Sequence, residues 1–402
     1  MKDFSAQTTL DFCPVDFIRA HSADNSKSDI RTEIWQCTFQ PDVNNPGKFT
    51  SLVATCGGNS VCVTDVSTST VKYKFKAEVG EKLFALAWGT SLSFSANVLL
   101  AASGTGRRIF FISPHESSVV VSQVLDKRIT NSVISLVFHP NQLDILFCGV
   151  VSKSSNQILV TKFSPARLTE LTILHRLRCP DNTLQIVQIT FHSSNSFLFC
   201  AHNEGLHAWD LNSNLNKLGN NEPDDFQVIL PQPMSNTTDI FRTPEKMVDT
   251  VLSLTGTYLV ACKIVNSEHI VVFDTKNVEK KNNKMKPNMY QLLTWADSDD
   301  AYLFLGWEPE RKILGCGDHK GSVWLYNLAD LKLTSSDRDS TPPSGILNWP
   351  KNLRDINVEA ERKLQVGTYN ILISQVALHE NYVVSVTRTN FICVWKERIS
   401  KD

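Results

Sequence analysis

The stretch Cys316-Gly-Asp-His-Lys-Gly-Ser-Val-Trp-Leu-Tyr-Asn327 sets a thiol, a carboxylate and an imidazole side by side, then alternates apolar and polar side chains. It reads either as a cluster of catalytic groups or as a tight turn feeding a strand. Asp318 to Gly321 supplies the Asp and Gly that hairpin turns demand, and Val323 to Tyr326 has strand periodicity. A turn of this kind belongs to a unit that repeats. An active site does not repeat.

The unit recurs along the chain: a short apolar strand, a polar turn, an apolar run with small residues, a Gly/Asn/Asp turn, and a last run near a Trp or Asp. The first copy joins Trp35-Gln-Cys-Thr-Phe39 to Leu52–Asp65, and the second joins Leu83-Phe-Ala-Leu-Ala-Trp88 to Val98–Ile112. Further copies start at Val133, Ile186 and Val248. The sixth holds the opening stretch behind Ala301-Tyr-Leu-Phe-Leu-Gly-Trp307, and the seventh runs from Leu372 to Trp395. Antiparallel units of this length, none able to bury both faces alone, predict an all-β fold, a seven-bladed WD40-type β-propeller.

The expected organisation is a flexible tail over residues 1–15 and a propeller over 16–398, closed by an amino-terminal strand drawn from Asp16–Ser22. Ala20-His21 stands where WD repeats carry Gly-His. Long insertions are expected near 212–246, 276–300 and 329–369. The second of these contains Lys276–Lys286, a run with five lysines that reads either as a solvated loop or as a phosphate-binding or import signal. Gln7-Thr-Thr-Leu-Asp-Phe-Cys13 resembles the start of a sliding-clamp-binding peptide, but Cys13 and Pro14 occupy the positions of its aromatics.

Composition narrows function. With 402 residues, 42% of them hydrophobic and 20% charged, the chain is long and apolar enough for a large core. A formal net charge of -1 argues against general coating of nucleic acid or of an acidic membrane. No apolar stretch has the length of a signal peptide or a membrane span, so a cytosolic or nuclear protein without membrane contact is expected. The ten cysteines form no C-x-x-C pair and fall mostly in strand-like runs, so free buried thiols are expected, without disulfides or a metal.

Enzyme signatures are missing. Gly104-Thr-Gly-Arg-Arg108 resembles a phosphate loop but lacks the lysine and the following helix. His139, His192, His202 and His207 sit beside turns or strand ends at spacings that suggest no shared metal, and no catalytic residue or cofactor is assigned.

Leu52–Asp65, Phe84-Ala-Leu-Ala-Trp88, Gly315–Leu328 and the unusual Ile346-Leu-Asn-Trp-Pro350 together resemble the WD-repeat half of the leucine-rich repeat and WD repeat-containing family, also called origin recognition complex-associated proteins. The resemblance implies a nuclear, chromatin-bound adaptor. Its implied partners are origin recognition complex subunits and histone H3 or H4 tails bearing trimethyl-lysine, in support of replication initiation and heterochromatin, with DNA contact at most indirect or through loop lysines. Family members carry leucine-rich repeats ahead of the propeller, whereas the first unit here begins at Trp35, so action through the propeller alone is expected.

The Phe84-Ala-Leu-Ala-Trp88 pattern is also similar, more distantly, to the Polycomb embryonic ectoderm development propeller, which holds trimethyl-lysine in an aromatic cage. A quaternary ammonium donates no hydrogen bond, so it is held by ring faces. Position in the pattern places cage aromatics at Trp35 and Phe84; the blade-six counterpart lies among Tyr302, Leu303 and Phe304, the register being open by one, which makes Tyr302 or Phe304 the third ring. The competing reading is that all four rings pack between blades.

Overall fold

The computed structural model describes residues 10–398 except 23–28, 46, 91–97, 107, 123–131, 143, 153–155, 165–166, 179–183, 193–195, 212–222, 231–246, 297, 299, 335–339 and 350–370. Among these residues every regular element is a strand, arranged in seven sheets that are the blades of a β-propeller, antiparallel except for one parallel pairing at the outer side of each of blades four and five. The inner strands are Ile34–Pro41, Leu83–Thr90, Ser132–Phe138, Ile186–His192, Val248–Leu254, Gly306–Glu308 and Ile373–His379.

Burial explains why the strands read as near-continuous apolar runs. Each blade lies between two others and buries both faces. In blade one, Val53 and Cys62 join the cluster shared with Val384 and Val394 of blade seven, while Ala54, Cys56, Val61 and Val63 join Leu83, Leu100 and Phe110 of blade two. Successive residues thus feed successive cores.

The expected boundaries shift at the amino terminus. The strand that closes the ring is Phe12–Ile18, paired antiparallel with Ile392–Glu397, so it begins four residues before the expected boundary at 16. Leu10 and Phe12 are the reason: both are buried in a cluster with Leu347, Trp349 and Trp395. Residues 10–15 therefore belong to the propeller, and residues 7–9 of the clamp-like peptide lie outside the described residues. His21 follows the strand and bridges Ser60 Oγ and Thr55 Oγ1, each at 2.8 Å.

The expected insertions contain the outer strands of three blades. Asp225–Val228, Tyr290–Thr294 and Gly345–Asn348 are too short and too polar in their flanks to stand out as apolar runs. The lysine-rich run is a hairpin of Val278–Lys281 and Lys284–Pro287, whose second strand pairs in parallel with Gln227 and Val228 and so widens blade four. Met285 is fully buried and anchors it, while Lys281, Lys284 and Lys286 are exposed.

The blades meet most closely where side chains are absent. A Cβ on Gly306 would fall onto the Val376 carbonyl of blade seven, a backbone atom that cannot rotate away. Gly306→Ala should therefore destabilise the fold by about 2 kcal/mol. A thermal melt unchanged within a degree would contradict this close approach.

Candidate aromatic site at the channel mouth

The opening stretch resolves as a turn. Asp318 Oδ1 accepts the N–H groups of Lys320 and Ser322, both at 2.8 Å, and its Oδ2 accepts Trp324 Nε1–H at 3.0 Å. Cys316 is fully buried, which raises its thiol pKa far above the range where a thiolate forms. Carboxylate and thiol are both spent on structure.

The distinctive local feature lies elsewhere, at the start of the inner strands. Six of them carry a β-bulge at equivalent places: Trp35, Phe84, Ile134, Val187, Asp249 and Ser374 are the residues skipped by the ladder. A bulge re-aims one side chain, and here it does so in blade after blade. The residue after each bulge can then cap the next blade. Gln36 accepts Leu86 N–H, Ser135 accepts Ile189 N–H, Gln188 accepts Val251 N–H, Thr250 accepts Leu305 N–H and Gln375 accepts Cys37 N–H, at 2.8–3.4 Å.

These caps set the register that sequence alone left open. Cys37, Leu86 and Leu305 are equivalent, so the counterpart of Trp35 and Phe84 in blade six is Leu303. Leu303 is fully buried in the core between blades. Tyr302, one residue earlier, reaches Trp35 instead because its backbone is left-handed, with φ 63.

Three of the four expected rings come together. Trp35 and Phe84 have centroids 5.4 Å apart and Trp35 and Tyr302 6.1 Å apart, each pair edge-to-face at 87°. All three are half-buried. Phe304 is the exception: it is buried, bridges Gln375, and donates its N–H to the Ser374 carbonyl at 2.7 Å, a structural position between blades six and seven.

A buried polar frame holds Tyr302. Asp249 Oδ2 accepts Leu303 N–H at 3.1 Å and pairs with Lys263 Nζ at 3.0 Å, both side chains being wholly inaccessible. Lys263 also reaches the Asp300 carbonyl at 3.5 Å and lies 4.7 Å from the Trp295 ring centroid. Arg388 Nη2 donates to the Ala301 carbonyl at 2.6 Å. Sequence reading did not find Asp249, Lys263 or Arg388, since a lone charge in an apolar strand or hairpin tip carries no motif.

Electrostatics around the rings is mixed. Burial lowers the pKa of the Arg388 guanidinium, while Glu33, Asp300, Tyr302 and Asp249 oppose that effect. Glu33 and Asp300 each stand two residues before a ring, Trp35 and Tyr302.

A second concavity, of about 360 Å³, is lined by His202, His207, Glu204, Asp225 and Lys284. His207 Nε2 lies 3.3 Å from Asp225 Oδ2, which resembles a general-base pair. Burial lowers the pKa of both imidazoles, His202 to about 4, so they are neutral at pH 7, and among the described residues no Ser or Cys lines the concavity. Arg108, which the glycine-rich pattern after Gly104 suggests as a phosphate contact, pairs with Glu78 at 2.6 Å.

Comparison of the chain with known proteins points to one family. The family model for the WD domain of leucine-rich repeat and WD repeat-containing protein 1 matches residues 3–398. Proteins of that name are similar along nearly the whole chain: the Xenopus tropicalis protein at 26% identity, covering 95% of this chain and 55% of its own length, and the Xenopus laevis protein at 27%, covering 95% and 52%. The human protein is 23% identical, with 97% and 58% covered. The chain spans about half the length of the curated relatives it matches.

Proposed function

The chain belongs to the WD-domain family of leucine-rich repeat and WD repeat-containing protein 1 and is a WD-repeat scaffold, and we propose that it serves as a non-enzymatic nuclear adaptor on chromatin. In this reading its channel mouth binds trimethyl-lysine on histone H3 or H4 tails. Other surfaces of the rim engage origin recognition complex subunits, in support of replication initiation and heterochromatin. The origin-complex part rests on family membership.

The histone part rests on one observation, the convergence of Phe84 and Tyr302 on Trp35, with ring centroids 5.4 and 6.1 Å from its own. Ring faces with acidic neighbours suit a cation that cannot hydrogen-bond. Glu33 and Asp300 are those neighbours. Phe304, buried between blades, takes no part.

The test is binding of the purified chain to unmodified and trimethylated H3 and H4 peptides, with Trp35→Ala and Phe84→Ala alongside and folding checked by circular dichroism. Each substitution should weaken methyl-dependent binding by about tenfold or more, since a desolvated cation–π contact is worth up to about 2 kcal/mol. Equal binding of methylated and unmodified peptides would sink the histone reading. Origin-complex capture in that case would leave a scaffold without histone recognition.

A further inference from the structure

The proposed cage already holds a cation. Arg388 sits in the turn between strands Tyr382–Thr387 and Ile392–Glu397, and its guanidinium carbon lies 5.1 Å from the centroid of the Trp35 ring. A guanidinium and a quaternary ammonium seek the same thing, the negative face of the indole. Two cations on one half-buried ring cluster repel each other strongly.

We propose that Arg388 is the resident cation of this site, an internal competitor that a trimethyl-lysine must displace from Trp35; the proposal rests on the methyl-lysine reading above. Three features favour exchange over coexistence. First, the guanidinium is poorly satisfied where it lies: Nη2 reaches the Ala301 carbonyl, but the buried Nε has no acceptor. Leaving the site returns Nε to water, which offsets the lost ring contact. Second, the place over the indole is already taken: the guanidinium carbon lies 5.1 Å from the Trp35 centroid, so a second cation reaches that ring face only if the first one leaves.

Third, Arg388 holds the strained part of the cage. Its bond to Ala301 restrains the peptide just before Tyr302, whose left-handed backbone is disfavoured for a tyrosine. The other side of Tyr302 stays fixed without Arg388, through Leu303 N–H on Asp249 and Phe304 N–H on Ser374. Departure of Arg388 thus frees Tyr302 to turn toward a ligand while its strand keeps register. The cage is closed by its own arginine and opened by a better-fitting cation.

The experiment compares the intact chain with Arg388→Gln and Arg388→Ala, using calorimetry with trimethylated histone peptide and, separately, tetramethylammonium chloride. Gln removes the charge yet keeps a donor for the Ala301 carbonyl, so it decides the question if Ala disturbs the fold. Arg388→Gln should bind both probes about tenfold more tightly than the native chain, and adding Trp35→Ala should abolish the gain. Equal or weaker binding of tetramethylammonium by Arg388→Gln would overturn the proposal and make Arg388 a wall of the cage. Failure of every form to bind either probe would overturn the methyl-lysine reading, and this proposal with it.

Discussion

Lys263→Met should destabilise the propeller by about 3–5 kcal/mol, the loss that follows when one partner of a fully buried ion pair is removed. Lys263 and Asp249 are both inaccessible, with Nζ and Oδ2 3.0 Å apart. Without the ammonium, Asp249 faces an uncompensated burial, and its Oδ1 already has no partner. Burial raises its pKa, and Lys263 is the main force holding it down, so the single variant should carry a protonated Asp249 at neutral pH.

The double variant Asp249→Asn with Lys263→Met should recover most of that loss, because a neutral amide still accepts Leu303 N–H and the methionine fills the space against Trp295. Urea titration of the three proteins measures this coupling. A single Lys263→Met variant within about 1 kcal/mol of the parent would show that the pair contributes little beyond its volume. The frame also positions Tyr302, so ligand affinity should fall in the single variant even at temperatures where it is fully folded.

These two residues mark the limit of what the amino-acid sequence reveals. The fold was legible because every blade repeats the same alternation and turn chemistry, from Leu52–Asp65 to the hairpin at Asp318. Trp35 and Phe84 were legible because they stand at the same place in two strong repeats. Tyr302 was legible only to within two positions, since it leaves the repeat register through a left-handed turn that pattern alone does not show. Asp249 and Lys263 pair within blade five, but they and Arg388 reach the segment around Tyr302 only after blades six and seven are placed, across 54 to 87 residues of chain. The closing strand starts four residues earlier than expected because Phe12 reads as tail until Ile392–Glu397 is placed beside it.

Acid should destabilise the propeller through its buried histidines. His21, His192 and His202 are buried, and burial pulls their pKa values down from an ordinary 6.5 to about 3, 4 and 4. The unfolded chain binds protons at these positions below about pH 6.5 while the folded chain does not, so acid favours unfolding. Stability is fully present above pH 6.5 and declines as pH falls, down to about 4 for His192 and His202 and about 3 for His21. At pH 5 each imidazole contributes a loss of about 2 kcal/mol, and the three together approach the whole stability of an ordinary domain.

Asp249 works in the opposite direction, since burial raises its pKa and acid relieves it. The net decline between pH 7.5 and 5 should therefore belong to the histidines. Both ring nitrogens of His192 are buried, and that burial outweighs the backbone contacts at His192 and Leu259, so His192→Phe should keep the packing and remove about 2 kcal/mol of the decline at pH 5. Thermal midpoints at half-unit steps test both statements. A midpoint flat from pH 7.5 to 5 that drops only below pH 4 would assign acid lability to carboxylates and refute the part played by the buried imidazoles.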